Sequence, residues 1–91
     1  MFEWDKHNLG KIRRHRISRE EAEQALLNDP LPIYEQEVQG ETRFIYYGET
    51  DAGRPLAVVV TERGELLRVI TAYDLDAGQK QEYLQRRVQG E

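Results

Sequence analysis

The chain has 91 residues, 38 % of them apolar and 33 % charged, with a formal net charge of −4. That length holds one small core, so a single domain over residues 1–91 is expected. The absence of cysteine excludes disulfides, thiolate metal ligation and cysteine nucleophiles. The longest wholly apolar run is Leu56–Val60, far short of the roughly 20 residues of a membrane span or the about 7–15 of a signal-peptide core. A cytoplasmic chain without membrane attachment is the expectation. Only two histidines are present, His7 and His15, which disfavours a structural zinc site.

The predicted elements follow in chain order. Phe2-Glu3-Trp4-Asp5 alternates apolar and polar, as in a very short edge strand or a hydrophobic anchor ahead of a helix. Asp5 is an N-cap, since its carboxylate can accept from the unpaired N–H groups of a first turn. A helix over residues 6–15 follows, with Asn8, Ile12 and His15 on one face. Ser18 and Glu21 have the spacing of a capping box, flanked by an Ile17–Ala22 staple, and start a second helix. Asn28-Asp29-Pro30 ends it.

From Leu31 the period changes to two. Strands are predicted at Ile33–Val38, Thr42–Tyr47, Leu56–Thr61 and Leu66–Tyr73, with turns at residues 39–41 and 62–64 and Gly48 ending the second strand. The unbroken Val58-Val59-Val60 suggests a strand buried on both faces, hence central. Short connections favour an antiparallel meander. Asp76 caps a last helix over about 77–88, where Tyr83, Leu84 and Val88 can pack back on the sheet. The predicted fold class is α+β: two N-terminal helices, a four-stranded antiparallel sheet and a C-terminal helix.

Charge is unevenly spread. Residues 1–19 sum to +4 and residues 20–91 to −8, so a basic surface for a polyanion can come mainly from the N-terminal stretch Lys11-Ile12-Arg13-Arg14-His15-Arg16. The last strand, Leu66–Tyr73, carries Arg68 in apolar surroundings. Such an arginine stands on a solvent face or is paired with an acid on a neighbouring strand. No Gly-rich phosphate loop, GxSxG or HExxH motif is present. His7 and His15, eight residues apart on one helix, differ by roughly 12 Å in height, too far to share a metal. Neither a metal nor another cofactor is expected.

An ordered series of residues resembles the BrnT family, ribonuclease toxins of BrnT–BrnA toxin–antitoxin pairs with a RelE-like fold. The series comprises Phe2-Glu3-Trp4-Asp5, Asn8, Arg14-His15, Ile17-Ser18, Glu20-Glu21-Ala22, Asp29-Pro30, Arg43-Phe44, Gly48, Gly53-Arg54, Val58-Val59, Thr61-Glu62-Arg63, Arg68-Val69-Ile70-Thr71-Ala72, Lys80 and Tyr83. Three positions depart from the family pattern. Tyr73 stands where a second arginine is usual, Arg16 where glycine follows the histidine, and Gln79 where the last helix carries an acid. The resemblance implies a ribonuclease toxin that cleaves mRNA without a metal. It also implies a BrnA-like DNA-binding antitoxin that covers the RNA-facing surface, and contact with operator DNA only through that antitoxin. A non-enzymatic interaction module on the same fold is the alternative.

In the ribonuclease reading Arg68 clamps the scissile phosphate and Thr71 and Tyr73 position the nucleotide. His15 or Tyr73 transfers the proton, and Lys11, Arg14 and Arg43 neutralise flanking phosphates. Each candidate also has a structural reading. His15 can cap a helix C-terminus, Tyr73 can pack, and Asn8 can lock the first helix to the sheet. Trp4 reads as a core anchor, and Tyr34, Tyr46 and Tyr47 as strand packing. Arg68 and Thr71 are three apart, so a regular strand sends them to opposite faces and only a β-bulge would align them.

Overall fold

The computed structural model describes residues 1–89. Five strands and three helices run in the order β1 (Phe2–Glu3), α1 (Lys6–Arg14), α2 (Arg19–Leu27), β2 (Leu31–Val38), β3 (Glu41–Glu49), β4 (Pro55–Arg63), β5 (Leu66–Asp74) and α3 (Ala77–Gln89). The sheet order is β1-β5-β4-β3-β2. β2 to β5 form the expected antiparallel meander, with the valine-rich β4 at the centre. The fold class is therefore α+β as predicted, but the sheet has five strands rather than four and is mixed rather than purely antiparallel. The fifth is Phe2–Glu3, which pairs parallel to β5 through Phe2↔Leu67 and Glu3↔Arg68. The very short edge strand that the alternation of Phe2-Glu3-Trp4-Asp5 allows therefore forms, and its pairing closes over more than sixty positions of chain.

All three helix starts form as their side chains dictate. Asp5 accepts from the backbone N–H groups of His7 and Asn8, while Asn8 Oδ1 accepts from Asp5 N. Ser18 and Glu21 exchange the two bonds of a capping box, and so do Asp76 and Gln79. α1 and α2 cover one face of the sheet, over a core of Ile12, Ile17, Ala22, Ala25, Leu56, Val58, Val60, Val69 and Ala72. Trp4 packs against this core, and its indole N–H donates to Glu23. Asn8 is buried and donates to the carbonyls of Glu3 and Val69, so α1 takes over the edge of β5 where β1 stops. His15 does not share that buried face. It is exposed and forms the C-cap of α1. Tyr47 is buried, whereas Tyr34 is 55 % exposed and fills no core. Leu84 and Val88 are exposed too, so of the three predicted α3 contacts only Tyr83 packs on the sheet.

Arg16 follows α1 with φ +57°, the left-handed conformation that costs a side-chain-bearing residue about 1 kcal/mol relative to glycine. Arg16→Gly is expected to raise stability by about that amount. A shift of the urea midpoint with an unchanged m-value would show it.

Candidate functional site

The opposite face of the sheet is covered at one end only. There Tyr83 of α3 and Leu75 pack on Ile45, Tyr47 and Ala57. The register arranges this face in rows across the strands. Tyr73 lies beside Ala57, which pairs with Tyr47. Thr71 lies beside Val59, which pairs with Ile45. Arg68 lies beside Thr61 on one side and Glu3 on the other, with Arg43 one step beyond the Phe44↔Val60 pair. The rows run from an aromatic end, through a β-branched middle in which Thr71 is the polar member, to a charged end.

Arg68, Thr71 and Tyr73 share this face because β5 carries a bulge. Val59 pairs with Thr71 and Val60 with Val69, which leaves Ile70 as an extra residue. One inserted residue reverses the alternation, so the three-residue spacing that opposes Arg68 and Thr71 in a regular strand aligns them here. The buried partners confirm the faces, since Val69 and Ala72 lie in the helix-covered core on either side of the insertion.

The charged end is a concavity of about 190 Å³ lined by His7, Lys11, Glu41, Arg43, Arg63, Arg68 and Ile70. That is small beside the about 300–1,000 Å³ of typical organic-ligand pockets, and suits a phosphate group better than a whole cofactor. Three of the residues nominated from sequence, Lys11, Arg43 and Arg68, meet in it. Arg14 is exposed, three residues after Lys11 and so its neighbour on the helix surface, but does not line it. His15 lies at the other end, its ring 6.3 Å from that of Tyr73 at a 53° tilt. Burial raises the Tyr73 phenol above its ordinary pKa.

The arginines are not bare. Arg68, whose side chain is 11 % exposed, donates to Glu3 Oε1 at 3.0 Å and to both Asp5 oxygens at 2.9 and 3.3 Å. Glu3 also faces Arg63 at 3.8 Å, and Glu41 lies 3.5 Å from Arg63 and 3.3 Å from Arg43. The result is a chain of alternating charge, Asp5–Arg68–Glu3–Arg63–Glu41–Arg43. Arg68 thus has the acidic neighbour-strand partner considered from sequence, and a second partner in the α1 N-cap. The Arg68 hydrogen bond, followed by that of the Asn8 backbone, holds the Asp5 carboxyl down at about 2. Asp5 therefore contributes stability above its ordinary value of 3.8 and loses that contribution as pH falls through about 2. Arg68→Ala is expected to move the Asp5 titration back toward 3.8, measurable by NMR on the carboxyl carbon.

Sequence reasoning places Arg54 in the family series but gives it no role. Arg54 donates bidentately to Asp74 at 2.7 and 2.9 Å, to Glu21 at 3.2 Å, and to the carbonyls of His15 and Arg16. One side chain ties the end of α1, the α2 capping box and the end of β5, and so fixes His15 beside Tyr73. Among the described residues no three His, Asp or Glu side chains converge as metal ligands, and no helix is long and apolar enough to cross a membrane. A family model described as a ribonuclease toxin, BrnT, of type II toxin–antitoxin systems matches residues 4–78. No curated protein matches the chain.

Proposed function

This chain belongs to the BrnT family of type II toxin–antitoxin ribonuclease toxins, and from that premise we propose that the bulged face of β5 binds RNA and cleaves it without a metal ion. The observation that carries the proposal is the convergence of Lys11, Arg43 and Arg68 in one phosphate-sized concavity. In such a reaction the ribose 2′-oxygen attacks the adjacent phosphorus. The O2′–P bond forms and the P–O5′ bond breaks, leaving a 2′,3′-cyclic phosphate and a 5′-hydroxyl. One proton leaves O2′ and another reaches O5′. The crowded phosphorane charge needs fixed cations, and a planar arginine fork meets two phosphate oxygens at once. Arg68 fills this role, Lys11, Arg43 and Arg14 neutralise flanking phosphates, and Thr71 and Tyr73 position the nucleotide. His15 and Tyr73 are the proton-transfer groups nominated from sequence.

The partner is a BrnA-like antitoxin that covers this face and carries the contact with operator DNA, in a cytoplasmic RelE-like toxin. Co-purification with the product of an adjacent reading frame, and loss of cleavage on its addition, test this part. The alternating acids favour one second reading, an interaction module without nuclease activity. Glu3, Asp5 and Glu41 already occupy the arginine forks. Phosphate must compete with them, and a folded chain that cuts no RNA would decide for this reading.

A further inference from the structure

The rows on the open face separate groups that a single reacting phosphate would need together. Thr61, beside Arg68, and Ala57, beside Tyr73, are four residues apart on the regular strand β4, about 13 Å at 3.3 Å per residue. The heads diverge further. The Arg68 fork turns toward Glu3 and Asp5, on the β1 side. Tyr73 packs against the Tyr47–Leu75–Tyr83 cluster and meets His15. A general acid or base must come within about 2.6–3.2 Å of the atom it serves, or act through one water. Neither Tyr73 nor His15 reaches a phosphate seated on Arg68.

One group suited to proton transfer near neutral pH does line the cavity at Arg68, and that is His7. It sits on the first turn of α1, where its backbone N–H is held by Asp5 Oδ1 at 2.9 Å. Its imidazole makes no hydrogen bond among the described residues, and its side chain lies one turn before Lys11 on the same helix face. The charged groups around the cavity are Lys11 from the same helix, Arg68 from β5, Arg63 from β4, and Glu41 and Arg43 from β3. Asp5 and Glu3 stand behind Arg68.

We infer that His7 is the general base at the phosphate held by Arg68, and that Tyr73 and His15 hold a nucleotide further along the face. The inference rests on the ribonuclease reading and deepens it. Neutral His7 accepts the 2′-hydroxyl proton as the O2′–P bond forms, and the departing O5′ takes its proton from water. Arg68 and Lys11 stabilise the added negative charge. At the other end the Tyr73 ring stacks on a base, as aromatic side chains do with unpaired RNA.

The test compares the parent chain with His7→Gln and His15→Gln in single-turnover cleavage of an RNA across pH. Binding is read separately on the same RNA with 2′-deoxyribose at the cleaved position. His7 is exposed and its ring is unengaged, so His7→Gln should melt with the parent. It is expected to lose at least about 100-fold in cleavage, and the acidic limb of the rate profile, with little change in affinity. His15→Gln is expected to weaken binding and to keep the acidic limb. Cleavage by His7→Gln at the parent rate, with the same pH profile, would overturn the inference and leave the ribonuclease reading intact. Failure of the folded parent to cut any RNA would remove both.

Discussion

Gly48→Ala is expected to be the most destabilising glycine-to-alanine change among the described residues. A Cβ at Gly48 would lie 2.2 Å from the carbonyl oxygen of Ala25 and 3.0 Å from its carbon. Both are backbone atoms of α2, so no rotamer change relieves the clash. Ala22 and Ala25 are fully buried there, so α2 lies directly on the sheet. Making room means lifting α2 off β3 and opening the core beneath Leu56 and Val58. Overpacking of this kind costs about 3 kcal/mol or more, roughly 12–24 °C in melting temperature for a domain of this size. Gly10 is the internal control, because nothing lies within 4 Å of its added Cβ. Gly10→Ala should instead gain up to about 1 kcal/mol from helix propensity. Opposite shifts in thermal melts of the two variants would verify the packing.

The second large effect is on activity. Arg68→Ala is expected to reduce RNA cleavage by about 100-fold or more, the usual loss when one transition-state donor is removed. Arg68→Lys should retain part of the activity, since lysine keeps the charge but not the planar fork. Some stability is lost with Arg68→Ala as well, because Glu3 and Asp5 lose their shared cation. A melt of each variant at the assay pH separates the two effects. Glu3 provides a further contrast. It faces both Arg63 and Arg68, so Glu3→Gln should tighten RNA binding by freeing donors rather than weaken it. Parallel binding curves for Glu3→Gln and Arg68→Ala should therefore move in opposite directions.

Local chemistry in this chain was legible wherever a side chain acts on its own backbone. Asp5, Ser18–Glu21 and Asp76–Gln79 mark the helix starts that form. Gly40 and Gly64 supply the positive φ that the meander turns require. The parity of Arg68 and Thr71 pointed to a bulge without locating it, since Val69-Ile70 reads as ordinary strand. What stayed hidden was long-range. Nothing in Phe2-Glu3 announces a parallel partner at Leu67-Arg68. Arg54 sits in a loop sequence, and its five acceptor atoms come from three separate segments. Gly48 looked like the end of a strand, yet β3 continues through it and its missing Cβ admits α2.

Of the candidate site, the cations were visible as residue types and three of them meet. An acidic partner for Arg68 is foreseeable from sequence, but which acids serve is not, because Glu3 and Glu41 are unremarkable acids in an acidic chain. On sequence His7 enters only as a possible metal partner for His15, and the distance that rules out a shared metal also separates the charged end of the face from the aromatic end. The sequence pattern names the strand. Only the register shows that the strand divides into a charged end and an aromatic end.

The most direct measurement is cleavage of RNA by the purified, folded chain in the presence of EDTA, with product ends identified and Arg68→Ala and Tyr73→Phe run beside it. We expect the parent to leave 2′,3′-cyclic phosphate and 5′-hydroxyl ends. Arg68→Ala should be nearly inactive, and Tyr73→Phe, which keeps the stacking ring, should still cleave. No cleavage by the folded parent, with or without ribosomes, would contradict the account and leave an interaction module on this fold.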